Sequence, residues 1–232
     1  MRVLAIETAT IEVGVAVGDE TGPLATVTAR PGRRQAETLH PAIADVCRIA
    51  RIAPAELDAI AVDIGPGLFT GLRVGVAAAK ALAAGLGLPV VTATSLEVLV
   101  AACPCGLSTV VPVVDMRRGE VAWLMPPSDA ESIRVGTPDE LAAELGTLSG
   151  QVLLVGDGAL RYRARLTGAL SPAPVFGGIE LAVAPVASLV VLAIGSMGNG
   201  LSCDPAEVRP LYGREADARI NWSSRQGREA VS

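Results

Sequence analysis

The chain of 232 residues has few of the side chains that most catalytic sites require. His40 is the single histidine, which excludes the two-histidine metal sites of zinc hydrolases and non-haem iron enzymes. Lys80 is the single lysine beside 18 arginines, and acidic residues exceed basic ones, which leaves a net charge of −5. This charge argues against a surface devoted to binding nucleic-acid backbones.

The sequence also shows neither a C-x-x-C cysteine pair nor the apolar run of a signal peptide. The four cysteines include no C-x-x-C pair, which predicts free thiols in a reducing compartment. The start, MRVLAIET, places Glu7 where a signal peptide needs an apolar run, so we expect a cytoplasmic protein. The uncharged stretch from Leu181 to Gly198 contains Pro185 and many small residues, which predicts a buried helix and no membrane span.

Apolar residues, by contrast, are abundant. They make up 50% of the chain, and the mean hydropathy is +0.47, so one or two compact domains are expected. Strand and helix patterns predict the order β-β-β-α-β-α-β-α over residues 1–104, a ribonuclease-H-like α/β arrangement. A hairpin, a helix and a further strand predict a smaller α/β domain over residues 105–222. Residues 223–232 are predicted to form a disordered tail.

The segment GPGLFTGLRVG, from Gly65 to Gly75, follows an apolar strand and opens a helix. A helix N-terminus can bind an anion, but this segment lacks the Walker lysine, and Thr70 stands where the dinucleotide fingerprint has its third glycine. The alternative is a turn whose glycines, Gly67 among them, provide positive φ. We therefore treat the following residues as a structural or nucleotide-proximal loop: Gly65, Pro66, Gly67, Thr70 and Arg73.

Small residues recur every fourth position along the helix that follows, at Gly71, Gly75, Ala79 and Ala83. Such a stripe lets another helix approach closely. It indicates either tight internal packing or contact with a partner helix. The spacing of the small residues alone does not distinguish these two interpretations.

Two carboxylates suggest a different activity, that of a metal-dependent nuclease. Glu7 and Asp63 end the first and fourth predicted strands, where two-metal nucleases of this fold class carry acids, yet no third acid is predicted near both. Asp115 lies in a hairpin turn with Arg117, and Asp157 follows a strand, which predicts solvated charges and local hydrogen bonds.

Five segments carry a family resemblance that runs from Val3 to about Asp217. They are VLAIETAT, GPGLFTGLRVGVAAAKALA, PVVDMRRGEVAW, VGDGA and DPAEVRPLYGREAD. Together they resemble the TsaB (YeaZ) family, the non-catalytic bacterial partner in threonylcarbamoyladenosine synthesis on tRNA, although Leu68 replaces the more frequent serine. The resemblance implies the actin-like, sugar-kinase-like (ASKHA) fold with two ribonuclease-H-like α/β halves, the second reduced.

The resemblance also implies partners and an absence of catalysis. The expected partners are the catalytic paralogue TsaD and the ATPase TsaE, with tRNA reached only through the complex and no cofactor, metal or membrane. Ser95 and Leu99 occupy the positions of the TsaD histidine pair, and neither can replace imidazole as a metal ligand.

In the family the first two helices bind TsaD, or a second copy of the chain. On this basis the partner interface is predicted at Glu37, Leu39, Ile43, Phe69, Gly71, Leu72, Gly75, Ala79 and Ala83. Two alternatives remain open: an ATP-dependent phosphotransferase with phosphate loops at Gly65–Gly71 and Gly156–Gly158, and a two-metal nuclease.

Overall fold

Two five-stranded mixed sheets form the frame of the computed structural model, which describes residues 1–32, 34–104, 106, 109–126 and 133–212. The strands of the first sheet are β1 (Val3–Glu7), β2 (Val13–Asp19), β3 (Gly22–Ala29), β4 (Ala59–Asp63) and β5 (Val90–Ala93). Their spatial order is β3-β2-β1-β4-β5, with β2 antiparallel to both β1 and β3, and with β4 and β5 parallel to β1. The predicted meander followed by parallel strands is therefore confirmed.

The second sheet repeats this order. Its strands are β6 (Thr109–Arg117), β7 (Glu120–Leu124), β8 (Ile133–Gly136), β9 (Val152–Val155) and β10 (Val175–Phe176). They are arranged β10-β9-β6-β7-β8, so a hairpin layer again extends three parallel strands. The sequence did not predict β8 and β10, because strands of four and two residues are too short to show a periodic pattern.

Seven helices complete the described part of the chain. They are α1 (Gln35–Ala50), α2 (Phe69–Leu86), α3 (Ser95–Ala101), α4 (Pro138–Leu145), α5 (Asp157–Arg161), α6 (Arg163–Leu166) and α7 (Val186–Gly198). Alternation along β1 decides which helices cover which face: Leu4 and Ile6 pack with α1 and α2, whereas Val3 and Ala5 pack with α3 and α7. Both faces of the first sheet are thus covered.

The helix α7 corrects the predicted domain division. It lies in sequence within the predicted second domain, residues 105–222, but packs on β1, β2 and β3 of the first sheet. Leu189, Val190 and Ala193 are fully buried there, as expected for a buried helix. The following segment also returns to the first half, so only residues up to about 182 belong to the second sheet and its helices. The predicted tail, residues 223–232, lies outside the described residues.

The helix α2 is apolar on more than one side. By length and composition alone it could cross a membrane, and it is the one described helix of which this is true. It packs over β4 and beside α1, yet only 39% of it is buried. Soluble helices usually carry charges on their free face, whereas Arg73 and Lys80 are the only charged residues of α2.

The helix α3 begins with a side-chain cap. Thr94 is the N-cap: its hydroxyl accepts the Glu97 amide at 3.1 Å, and the Glu97 carboxylate accepts the Thr94 amide at 2.7 Å. This reciprocal pair is a capping box. Ser95 is left as the first helical residue, with its hydroxyl available to the end of β4.

Candidate protein-binding site

The small-residue stripe of α2 faces the protein's own strand. Gly71 and Gly75 lie against Thr8, the residue after β1, whose hydroxyl donates a hydrogen bond of 2.8 Å to the Gly71 carbonyl oxygen. A Cβ at either glycine would overlap Thr8 atoms, and Ala79 and Ala83 are fully buried in the first core. The predicted assignment of these four residues to a partner interface is therefore wrong, because the stripe serves internal packing.

Two leucines of the predicted interface are also internal. Leu39 of α1 is fully buried, and Leu72 of α2 is 1% exposed. Both point toward the sheet, so neither side chain can contact a partner protein. Glu37, Ile43 and Phe69 remain at or near the surface, with Phe69 42% exposed.

A second stripe of small residues forms the outer face of α2. Ala77, Ala81 and Ala84 are exposed at intervals of four and three residues, and the exposed Arg73 precedes them by one turn. Beside them runs a groove of about 1100 Å³ between α2 and residues 202–207. Both stripes are visible in the sequence. The charge of Arg73 could have identified the outer one, because charged side chains usually lie on the solvent-facing side of a helix.

The N-terminus of α2 carries an exposed aromatic and arginine cluster. The Arg73 guanidinium carbon lies 3.8 Å from the centroid of the Phe69 ring, and Arg73 Nε donates to the Tyr212 hydroxyl at 3.2 Å. The Phe69 and Tyr212 rings are 5.0 Å apart and tilted by 39°. Phe69 and Arg73 were predicted site residues, whereas Tyr212 was missed because nothing in its local sequence links it to α2.

The Gly-rich loop before α2 is shaped by one positive φ and one close approach. Gly65 has φ 102°, whereas Gly67 does not lie in the positive-φ region, so the expectation for Gly67 is corrected. Gly67 is instead packed against the Ala9 carbonyl, which accepts the Leu68 amide at 2.6 Å. Thr70 is exposed on the first turn of α2, and Pro66 is buried in the loop.

Glu7 and Asp63 form a buried carboxylate pair at the ends of β1 and β4. Asp63 accepts hydrogen bonds from the Gly65 amide at 2.7 Å and the Ser95 hydroxyl at 2.8 Å, and Glu7 accepts both the amide and the hydroxyl of Thr10 at 3.0 Å. Burial raises the pKa of Asp63 to about 7. Burial and the neighbouring Asp63 raise the pKa of Glu7 well above its ordinary value.

Both carboxylates accept hydrogen bonds from their own chain, and Glu7 also lines a cavity of about 340 Å³ beside β2, β3 and residues 179–187. The predicted proximity of the two acids is therefore found, but both are almost fully buried. Within the described residues no group of three or more His, Cys, Asp or Glu side chains could hold a metal ion. Leu99, one of the two residues at the TsaD metal positions, is 1% exposed and packs in the core.

In the second half Asp115 is buried, contrary to the prediction of a solvated charge, and Asp157 is half-buried. The Asp115 side chain is 1% exposed and pairs with Arg117 at 2.9 Å and Arg161 at 3.2 Å. Asp157 accepts the Asp115 amide at 2.8 Å, a bond between β6 and α5 and not a local turn bond. Burial raises the pKa of Asp157. These groups hold the second half together.

The cleft between the halves is almost closed. Its cavity measures about 10 Å³, which is room for no more than one water molecule. The lining includes Thr10, Gly67, Ser95, Asp115, Arg117 and Asp157. A nucleotide needs several hundred Å³, so the two glycine loops face each other with no room for phosphates between them.

Comparison with known proteins decides the family. The family model of TsaD, tRNA N6-adenosine threonylcarbamoyltransferase, matches residues 27–145. The Escherichia coli tRNA threonylcarbamoyladenosine biosynthesis protein TsaB is 30% identical over 167 residues, which cover 68% of this chain and 72% of that protein. The chain belongs to the TsaB family. The Bacillus subtilis TsaB is 34% identical over 121 residues, which cover 52% of this chain and 53% of that protein.

Solved structures agree with the TsaB assignment. A Pseudomonas aeruginosa protein described as similar to peptidase YEAZ has a TM-score of 0.78 and 27% identity, covering 92% of this chain and 99% of that one. The ROK hexokinase of Thermus thermophilus has a TM-score of 0.52 at 15% identity, covering 85% of this chain and 100% of that one, a likeness of fold alone. The predicted ASKHA fold is thus confirmed.

Proposed function

We propose that this TsaB-family protein is a non-catalytic subunit that binds and activates the catalytic paralogue TsaD in threonylcarbamoyl transfer to tRNA. Family membership supports a role in threonylcarbamoyladenosine biosynthesis. The observation that carries the binding role is the outer face of α2, which is exposed and uncharged at Ala77, Ala81 and Ala84 and is built of small residues.

The outer face of α2 is better suited to contact with a helix of another protein than to exposure to water. Alanines at positions 77, 81 and 84 leave the backbone accessible, so a partner helix can approach closely and gain van der Waals contacts along several turns. The exposed part of α1, with Glu37 and His40, lies next to α2 and adds a polar rim. The same face would serve a homodimer when TsaD is absent. TsaE and tRNA would be met only within the complex, in the cytoplasm.

The closed cleft weighs against the alternative of an independent ATP-dependent phosphotransferase. A cavity of about 10 Å³ cannot admit a nucleotide without separating the halves. Gly156 at the second loop packs against the Val113 carbonyl, so that loop is already filled by protein atoms. The buried pair Glu7 and Asp63 likewise offers no open metal site to a nuclease.

A matched pair of substitutions on one helix tests the binding face. Ala81→Leu places a larger side chain on the outer face and is expected to leave the melting temperature unchanged, while it abolishes co-purification with TsaD from the same organism. Ala79→Leu overpacks the core, which destabilises the fold by about 1–3 kcal/mol. Full TsaD binding by Ala81→Leu would reject this face as the interface.

An activity assay tests the function itself. Purified TsaD and TsaE should modify tRNA only when this protein is added, and Ala81→Leu should fail to stimulate them. Equal modification in the presence and absence of the wild-type protein would contradict the proposed role.

A further inference from the structure

The last described residues form a strap, residues 199–212, that runs along α2 from its C-terminal end to its N-terminal end. Near its start Cys203 pairs with Val90 of β5 through two backbone hydrogen bonds of 3.0 and 2.8 Å. Val208 is 2% exposed in the first core, and the Leu211 amide donates to the Ile64 carbonyl at 2.7 Å. The strap is therefore fixed at both ends and ends beside the first turn of α2.

The single lysine of the chain holds the middle of the strap. Lys80 Nζ, on α2, donates to the Ala206 carbonyl at 3.2 Å and to the Val208 carbonyl at 3.1 Å. An ammonium group has three rotatable donors and can bind two carbonyl oxygens at once, whereas the planar guanidinium of arginine is shaped for carboxylates. Arg209, within the strap, donates to the same two carbonyl oxygens, so Lys80 links α2 to a turn that Arg209 also braces.

The path of the strap places Tyr212 beside the N-terminal end of α2. Its ring joins Phe69 and Arg73 on the outer side of α2, at one end of the face assigned above to TsaD. The chain contains only two residues each of Trp, Tyr and Phe. Two of these six meet here beside an arginine, the combination that most often forms binding hot spots.

We propose that Tyr212, carried by the strap, and Arg73 form an anchor site that receives an acidic side chain of the protein partner. This inference rests on the proposed function and names residues of its interface. Arg73 engages Tyr212 through Nε, and its two terminal nitrogens are the atoms suited to bind a carboxylate in bidentate geometry. No acidic residue lies on α2 to compete, and the N-terminal end of a helix favours a negative charge.

The anchor site also depends on the stacking of the Arg73 guanidinium on the Phe69 ring. The guanidinium lies over the Phe69 ring, and the Tyr212 hydroxyl fixes its orientation, so little side-chain freedom is lost when a partner binds. Lys80 is a positioning residue in this scheme, because it acts only by holding the strap.

Titration of TsaD binding by calorimetry, with five variants, tests the anchor. Tyr212→Ala should weaken binding at least tenfold, and Tyr212→Phe, which keeps the ring but loses the hydroxyl, about threefold to tenfold, the scale of one hydrogen bond. Lys80→Met should weaken binding as much as Tyr212→Ala, and the double variant should be no weaker than either. Tyr162→Phe, at the other tyrosine beside an arginine, is the matched control and should bind normally.

The outcomes separate this inference from the proposed function. If Tyr212→Ala binds TsaD within threefold of wild type while Ala81→Leu does not bind, the face is correct and the anchor is overturned. If wild type does not bind TsaD at all, the proposed function fails. Arg73→Glu should abolish binding at low salt and recover part of it at high salt, because salt screens the repulsion between the two carboxylates. A loss of binding that is the same at every salt concentration would overturn the acidic contact. Binding of tRNA by the isolated protein, lost in Arg73→Glu, would reassign the cluster to phosphate.

Discussion

Gly71→Ala is the sharpest test of how α2 crosses the end of β1. The added methyl group would overlap the Thr8 carbonyl oxygen and would also press on the Gln35 amide. The carbonyl belongs to the backbone of a fully buried residue, so it cannot swing aside as the end of a long side chain could. The helix must therefore move away from the strand, and the hydrogen bond from the Thr8 hydroxyl to the Gly71 carbonyl, now 2.8 Å, would break.

The expected loss of stability follows from three contributions. Overpacking costs about 1–3 kcal/mol, toward the upper end here because backbone is in the way. The lost hydrogen bond adds about 1 kcal/mol. Alanine is the better helix former by about 1 kcal/mol, which offsets part of the loss. The net destabilisation is about 2–3 kcal/mol, which corresponds to a fall in melting temperature of about 5–10 °C for a chain of this size.

Gly85→Ala is the matched control, since Gly85 lies on the same helix with nothing within 4 Å of an added Cβ. It should raise the free energy of unfolding by about 0.5–1 kcal/mol. Calorimetric melting of both variants beside wild type gives the comparison. If Gly71→Ala is as stable as Gly85→Ala, α2 does not lie against Thr8, and the stripe of Gly71 could face a partner after all.

Three further predictions use the same measurement. Arg51 ends α1 with φ 56°, so Arg51→Gly should stabilise the fold by about 0.5–1 kcal/mol, whereas Arg48→Gly within the helix should destabilise it by about 1 kcal/mol. Thr94→Ala removes the cap of α3 and should cost about 1–2 kcal/mol; an unchanged melting point would show that α3 needs no cap. Burial raises the pKa of Asp63 from 3.8 to about 7, so the folded state keeps a proton that the unfolded state releases. The resulting stability is fully present below about pH 4 and is lost as the pH rises through 7. The melting point should therefore fall between pH 5 and pH 8, less steeply in Asp63→Asn, and an equal slope in both would contradict the assignment.

The sequence predicted the fold because its signals were local and repeated. The first strand, VLAIE, is buried throughout, and the turn residues between β2 and β3 marked a hairpin. Hairpin, helix and strand patterns likewise predicted the smaller second half.

The site was predicted only in part because its arrangement is not local. Two stripes of small residues run along α2, and periodicity alone does not show which of them faces the sheet. The burial of Gly75 and the exposure of Ala81 depend on tertiary packing. Tyr212 reaches Phe69 across more than half the chain, and no pattern near either residue indicates the contact. Asp115 was read as solvated because a turn usually is, but Arg161 from α5 closes over it.

The buried carboxylate of Asp63 links these observations. Its partner Ser95 lines the small cavity of about 10 Å³ between the halves. Asp63 accepts the Gly65 amide and the Ser95 hydroxyl, so it ties the loop before α2 to the start of α3. The Ser95 amide in turn donates to the Gly65 carbonyl at 2.9 Å, which closes the same connection from the other side. Because α2 begins four residues after Gly65, this network fixes where the helix starts and hence which of its stripes faces outward. The buried carboxylate of Asp63 thus orients the surface through which, in our proposal, the protein acts on its partner.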